Sequence, residues 1–278
     1  MINQKKINSA NDNKRFYPYI DFRDKIFLVF AKPISLLFFK IGINGNTVSL
    51  LSGLFALCGG ILLASNNKLI MLSSSACFLL FYLLDYVDGM VARYRDEQSI
   101  GGQYLDLIMH LIVSISFSLG ISIGSINNDG ALIIPFAFLT VIASGLTLSR
   151  FSIGWMSIIM KLNENKISTQ VNQSNKNISK IKKTRKFIHK ILIRLGSLIF
   201  HEDYFIFTLP IILFFNLFLG SKLNIDIRSI IIIFGGVIYF PAIILDIIFY
   251  TNNRIDLYYY KTFESSNLPD MPKFIYFD

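Results

Sequence analysis

The sequence predicts an all-α, polytopic membrane protein with six transmembrane helices plus an N-terminal interfacial helix. Three observations support this fold class. Of the 278 residues, 53% are hydrophobic and only 16% are charged, whereas soluble domains carry about 25% charged residues. The mean hydropathy is +0.52. The apolar residues also fall into long runs, and about 20 apolar residues cross a bilayer as a helix.

The N-terminal segment, residues 1–46, is predicted to be cytoplasmic and to contain the interfacial helix. Its first 21 residues are polar and lack the central apolar run of a signal peptide. The following stretch, residues 22–42, is apolar but includes four basic residues, Arg23, Lys25, Lys32 and Lys40. This mixture suits a helix in the membrane interface better than one that crosses it. Pro33 is expected to break or kink the helix near its middle.

Residues 47–250 are predicted to form one membrane domain of six spans. The spans are expected at about 47–65, 69–94, 103–126, 131–156, 204–220 and 229–250. An even number of spans puts both termini on the same side. The loops on the far side contain only three basic residues, Lys68, Lys222 and Arg228. The positive-inside rule therefore places both termini, the basic loop at about 161–200 and the tail at 251–278 in the cytoplasm.

The formal net charge of +9 does not indicate a nucleic-acid partner. Most of the excess positive charge flanks apolar runs, which is the pattern of a membrane protein with basic cytoplasmic loops. The two cysteines, Cys58 and Cys77, lie in neighbouring apolar segments, and their spacing matches neither a disulfide framework nor a metal motif. We therefore expect binding to a bilayer and to small substrates, and no nucleic acid.

The strongest functional signal is a group of charged residues between positions 85 and 110. Asp85, Asp88, Arg93 and Asp106 lie in or beside apolar runs. A charge inside a bilayer costs at least ~2.5–3.5 kcal/mol, so such residues usually face a functional cavity. The alternative is that these carboxylates form interhelical salt bridges with Arg93 and Arg95.

The spacing of these residues places them on two helix faces. At 100° per residue, one face about 140° wide on span two carries Asp85, Asp88, Gly89, Ala92 and Arg93. On span three, positions spaced by four form a stripe, which contains Gly102, Asp106 and His110. The short link 94–101 is expected to make the two helices antiparallel neighbours with facing polar surfaces.

This combination of residues is typical of a site for a diphosphate. Clustered carboxylates repel one another unless a cation is present, and oxygen ligands favour Mg²⁺ or Mn²⁺. Arg93 offers a guanidinium for phosphate oxygens. The small residues Gly89 and Ala92 allow a ligand to approach the backbone. Such a metal would hold the diphosphate while an acceptor hydroxyl attacks.

The motif resembles the signature of the CDP-alcohol phosphatidyltransferase family, class I. That signature reads DxxDGxxAR, then eight residues, then GxxxD and a fourth acidic residue. Seven of its eight defining positions match here; they are Asp85, Asp88, Gly89, Ala92, Arg93, Gly102 and Asp106. The eighth position is His110 instead of an acid. The six-span layout and the Asn46–Ser49 start of span one resemble the family more loosely.

The resemblance implies a membrane transferase of phospholipid or envelope-glycan synthesis. Such enzymes pass a phospho-alcohol or phosphatidyl group from a CDP-linked donor, CDP-diacylglycerol or a CDP-linked head group, to an acceptor hydroxyl and release CMP. It implies metal ligation, with Mg²⁺ or Mn²⁺, by the motif carboxylates and the residue at the fourth acidic position, which are Asp85, Asp88, Asp106 and His110. It implies that the CDP moiety is bordered by Asp85, Asp88, Gly89, Ala92, Arg93 and Gly102.

His110 has three interpretations. In the first it acts in the site, either as the general base that deprotonates the acceptor hydroxyl or as a metal ligand, and Asp106 is a second catalytic residue. In the second it is a hydrogen-bonded structural residue, and in the third it is the sign of a site that has lost activity. An imidazole with a reference pKa of ~6.5 suits general-base work at neutral pH.

The acceptor site is predicted only weakly. Arg150, near the cytoplasmic end of span four, is an anion site for an acceptor phosphate or an arginine that extends to the interface. Glu202 and Asp203, at the mouth of span five, are further acceptor candidates. Gly120 and Gly124 form a small-xxx-small pair that indicates close helix packing or a homodimer face. Two other functions stay open, namely a silent CDP-lipid-binding relative and an ion-coupled transporter.

Overall fold

The computed structural model describes residues 22–147, 199–200, 202–223 and 226–252, and every regular element in these ranges is helical. The helices, in chain order, are α1 (Phe22–Lys40), α2 (Gly45–Leu63), α3 (Lys68–Arg95), α4 (Ile100–Asp129), α5 (Ile134–Thr147), α6 (Glu202–Leu223), α7 (Ile227–Phe234) and α8 (Phe240–Asn252). A 3₁₀ turn at Ala131–Ile133 precedes α5, and a π-helical turn at Gly235–Tyr239 joins α7 to α8.

The apolar helices identify an integral membrane protein. Within the described residues, four stretches are long and apolar enough to cross a bilayer, namely Gly45–Leu63, Lys68–Arg95, Gly101–Asp129 and Ile227–Leu245. They coincide with predicted spans one, two, three and six. Two shorter apolar helices, Ala131–Leu146 and Phe205–Leu217, lie where spans four and five were expected. The all-α membrane class is confirmed, while the count of six spans and the interfacial position of α1 stay predictions.

Helix α1 forms where the sequence predicts it, but Pro33 does not interrupt it. Of the two expected outcomes at this proline, a break does not occur, whereas a kink stays a prediction. Packing provides the reason for the continuity. Leu28 and Ala31 are buried in a cluster with residues of α3, and Ser35 Oγ donates to the backbone oxygen of Ala31 at 2.7 Å. A proline inside a helix costs about 3 kcal/mol, which the burial of this face offsets.

Helix α2 packs extensively on both α3 and α4. Glycines allow the close approach at its two ends. A Cβ on Gly45 would lie 3.0 Å from the backbone oxygen of Asp88, and one on Gly60 would lie 2.5 Å from that of Ser116. Helices α3 and α4 make few direct contacts with each other. Instead α2 packs on both helices, and the polar surfaces of α3 and α4 face each other across a gap, as expected.

The small-xxx-small pair on α4 serves packing within the chain. A Cβ on Gly120 would lie 2.5 Å from the backbone oxygen of Gly60, and one on Gly124 would overlap the guanidinium of Arg228. Of the two interpretations of this pair, close helix packing is therefore supported, since both glycines are buried against the chain's own helices. A homodimer stays a prediction.

Aromatic rings close the space between α3, α4 and α6 in the interior of the bundle. Phe117 stacks on Phe205 with ring centroids 4.1 Å apart, and Phe78 contacts both rings edge-on at 6.1 and 5.4 Å. All three side chains are buried. These rings fill the space between α3 and α4 in the bundle interior. The gap between the two helices therefore extends only from the α3–α4 link to this aromatic layer.

Candidate functional site

Two carboxylates and an imidazole meet across the gap between α3 and α4. The Nε2 atom of His110 lies 3.5 Å from Asp85 Oδ1 and 3.5 Å from Asp106 Oδ1. One ligand atom from each of the three residues lies within 4.8 Å of the others. The side chains of His110, Asp85 and Asp106 are 17%, 22% and 45% exposed, so an ion can reach them. Two helices thus supply one cluster, as the stripe spacing predicted.

The donor atoms of this cluster fit a divalent cation. Two carboxylate oxygens supply the negative charge that hard cations require, and an imidazole nitrogen is a further ligand for first-row metals. Adjacent ligands of a metal bound at about 2.1 Å lie about 3 Å apart. The two spacings of 3.5 Å reach that value with small side-chain movements.

Asp88 has a different environment from the other two motif carboxylates. Its side chain is 9% exposed, and it accepts a hydrogen bond from Ser49 Oγ at 2.5 Å. Among the described residues, the group that could share an ion contains Asp85, Asp106 and His110 but not Asp88. Three of the four predicted metal ligands therefore lie together in the cluster. The fourth, Asp88, lines the neighbouring pocket.

That pocket is an open cleft at the ends of three helices. Its walls are the start of α2, the last turns of α3, the α3–α4 link and the start of α4. The lining includes five of the predicted CDP-binding residues, namely Asp88, Gly89, Ala92, Arg93 and Gly102. The sixth, Asp85, lies in the carboxylate–imidazole cluster.

Two helix N-termini border the pocket. Helix α2 begins at Gly45, where Asn44 caps it by accepting from the Thr47 backbone N–H at 2.8 Å. Helix α4 begins after Ser99, whose Oγ accepts from the Gly102 backbone N–H at 3.0 Å. The N-terminus of a helix carries a partial positive charge and favours anions. With Arg93 in the same lining, the pocket can bind a phosphate-bearing ligand.

Two glycines of the motif lie in the pocket wall. A Cβ on Gly102 would lie 3.4 Å from Asn46 Oδ1 and from Ser99 Oγ, which is ordinary van der Waals contact. A Cβ on Gly89 would lie 3.3 Å from Nη1 of Arg93, at the flexible end of that side chain. That the small residues of the motif make room for a ligand stays a prediction.

Sequence reasoning from the motif missed the contribution of α2. Gly45, Asn46 and Ser49 line the pocket, and Ser49 holds Asp88 from a position 39 residues earlier in the chain. The available signal is the Asn46–Ser49 start of span one, which resembles the family only loosely.

The predicted acceptor residues are not described by the structure at the level of side chains. Arg150 lies outside the described residues. Glu202 and Asp203 are the first two residues of α6, and only their backbone is described. Their proposed contact with an acceptor stays a prediction.

Comparison with known proteins supports one family. The family model for CDP-alcohol phosphatidyltransferase matches residues 43–216, a range that extends from just before α2 into α6 and contains the whole cluster and pocket. No curated protein gives a significant match to the chain.

Proposed function

Because the chain belongs to the CDP-alcohol phosphatidyltransferase family, we propose that it transfers a phospho-alcohol or phosphatidyl group from a CDP-linked donor to an acceptor hydroxyl and releases CMP. The donor is CDP-diacylglycerol or a CDP-linked head group, and the acceptor hydroxyl belongs to a small polyol, a lipid or a glycan. The reaction serves phospholipid or envelope-glycan synthesis. From the positive-inside rule we infer that the site and both termini face the cytoplasm, and we propose that the membrane is a bacterial inner membrane.

The observation that carries this proposal is the position of the pocket relative to the charged cluster. The pocket offers Arg93 and two helix N-termini to the phosphates of a nucleotide. One ligand atom from each of Asp85, Asp106 and His110 lies within 4.8 Å of the others. These residues are on α3 and α4, which also form part of the pocket wall. A diphosphate held in the pocket would lie beside that cluster.

A divalent cation, Mg²⁺ or Mn²⁺, would be held by Asp85, Asp106 and His110 with the support of Asp88, and it would supply charge neutralisation for the diphosphate and for the CMP leaving group. Arg93 binds phosphate oxygens and orients the phosphorus for attack. Ser49 fixes the carboxylate of Asp88 by its hydrogen bond.

Three events complete the transfer. The acceptor oxygen forms a bond to the phosphorus that carries the alcohol, the bond from that phosphorus to the oxygen of CMP breaks, and the proton of the acceptor hydroxyl leaves to a base. The two base candidates are His110 and Asp106. Asp106 is the more exposed of the two, at 45% against 17%.

The experiment that tests the proposal is CMP release from a panel of CDP-alcohols. Purified protein is incubated with each donor, a lipid extract and Mg²⁺ or Mn²⁺, and the products are identified by mass spectrometry. We expect metal-dependent CMP release that is lost in Asp88→Asn. If substrate crosses liposome membranes without nucleotide cleavage, the protein is a transporter and the proposal is overturned.

One observation favours a second candidate, a relative that binds CDP-lipids without converting them. The family signature has a fourth acidic residue, and this chain has His110 at that position. Binding of the metal and of CDP, without CMP release for any donor in the panel, would establish the silent relative.

A further inference from the structure

The imidazole of His110 is oriented toward both carboxylates of the cluster. Its Nε2 is the atom that lies 3.5 Å from an oxygen of Asp85 and of Asp106. The imidazole ring also meets Phe81 edge-on, with centroids 6.0 Å apart and planes at 80°. Phe81 is fully buried, so it limits rotation of the imidazole. The nitrogen is thereby presented where a shared ion would lie.

A nitrogen ligand changes which cation a carboxylate site prefers. Mg²⁺ is a hard ion that prefers oxygen ligands, gives up its water reluctantly and demands near-ideal octahedral geometry. First-row transition ions accept imidazole more readily, and their affinity for mixed nitrogen and oxygen sites rises along the series from Mn²⁺. A site of two carboxylates and one imidazole therefore discriminates against Mg²⁺ more strongly than an all-carboxylate site does.

We propose that His110 ligates the cation through Nε2 and that this ligand makes the site select Mn²⁺ over Mg²⁺. The inference rests on the proposed transferase site and specifies its metal. It also assigns the proton of the acceptor hydroxyl to Asp106, because a nitrogen bound to a cation cannot accept a proton. Asp106 has a second carboxylate oxygen and is the most exposed member of the cluster.

Metal affinity is measured directly on the full-length protein in detergent micelles after removal of metals by chelation. Mn²⁺ is titrated and the free ion is followed by electron paramagnetic resonance, with Mg²⁺ added as the competitor. We expect the ratio of Mn²⁺ to Mg²⁺ affinity to fall at least ~10-fold in His110→Asp, because that variant has only oxygen ligands. An unchanged ratio in a folded His110→Asp protein would overturn the proposal.

A spectroscopic measurement does not depend on the folding of that variant. Electron spin-echo modulation of bound Mn²⁺ reports a directly coordinated ¹⁴N nucleus. The chain has three histidines, so the double variant His189→Gln/His201→Gln leaves His110 as the only imidazole. We expect the ¹⁴N modulation in the wild type and in this double variant. Its absence from the wild type, or its loss in the double variant, would contradict ligation by His110.

The two proposals fail separately. CMP release without ¹⁴N modulation would leave the transferase intact and remove the nitrogen ligand. Mn²⁺ selectivity with ¹⁴N modulation, but without CMP release from any donor, would retain the metal site and overturn the transferase.

Discussion

The two ends of the helix bundle both bury charged side chains, yet only one end has the properties of a reaction site. At the end formed by the last turn of α2 and the start of α7, Arg228 is 4% exposed. Its guanidinium donates to both carboxylate oxygens of Asp226 at 3.0 and 3.1 Å. It also donates to three oxygens at 2.9–3.2 Å, namely the backbone oxygens of Leu63 and Ser65 and Oδ1 of Asn66.

At the opposite end, the two carboxylates of the cluster carry charges of the same sign. Asp85 and Asp106 face one imidazole, remain partly exposed and lie beside an open pocket. A buried charge with internal partners of opposite sign joins helices to one another. A cluster of like charges needs an external cation to be stable. Charges inside a membrane usually indicate function. Since both ends contain such charges, it is their partners that distinguish the reaction site from the structural ion pair.

The sharpest test of this comparison is Asp85→Asn. We expect CMP release to fall about 10³-fold, equivalent to about 4 kcal/mol of transition-state stabilisation, because a metal ligand loses its charge. The midpoint of thermal unfolding without metal should stay the same or rise, because repulsion from Asp106 is removed. A large loss of thermal stability would show that Asp85, like Arg228, stabilises the fold.

Arg228→Met should have the opposite pattern. Removing the guanidinium leaves Asp226 buried without its cation and leaves the last carbonyls of α2 without donors, so we expect a loss of about 3 kcal/mol of stability. The specific activity of the protein that remains folded should not change. Thermal unfolding and CMP release per folded molecule measure the two effects. Adding Asp226→Asn should restore part of the stability; no recovery would contradict the role of the ion pair.

Gly124→Ala tests the space that α4 leaves for Arg228. The added methyl group would overlap the guanidinium, and we expect about 2 kcal/mol of destabilisation from this overpacking. Gly145→Ala on α5 is the matched control, since a Cβ there meets no atom of the described residues within 4 Å. The control should be neutral or slightly stabilising. Equal unfolding midpoints for the two variants would show that Gly124 is not needed to accommodate the guanidinium of Arg228.

Ser49→Ala should have the smallest effect and belongs to the site end. It removes the donor to Asp88, and we expect about a tenfold loss of CMP release, because a hydrogen bond to a charged group contributes about 1.5 kcal/mol. Ser52→Ala is the control, since Ser52 Oγ donates at 2.7 Å to the backbone oxygen of Ser49 and not to Asp88. If both variants retain wild-type rates, Ser49 does not position Asp88.

The features that the sequence predicts correctly are those with a local cause. The lengths of apolar runs locate the four candidate spans, because one helix crosses a bilayer by itself. The spacing of four residues between Asp106 and His110 places both on one face of α4, because that spacing is close to one helical turn. The cluster with Asp85 agrees with this prediction.

The features that the sequence does not predict depend on contacts between distant helices. The position of α2 between α3 and α4 follows from the fit of Gly45 and Gly60 against particular backbone atoms, which no periodicity encodes. The bond from Ser49 to Asp88 connects residues that are far apart in the chain. Pro33 shows the same principle, because packing of α1 on α3 overrides a local preference.

The packing of α2 on both α3 and α4 has a mechanical consequence. Because α3 and α4 make few direct contacts with each other, a cation held by Asp85 and Asp106 would add a removable connection between them beside the short α3–α4 link. The ion that the chemistry requires would thus also stiffen two walls of the pocket.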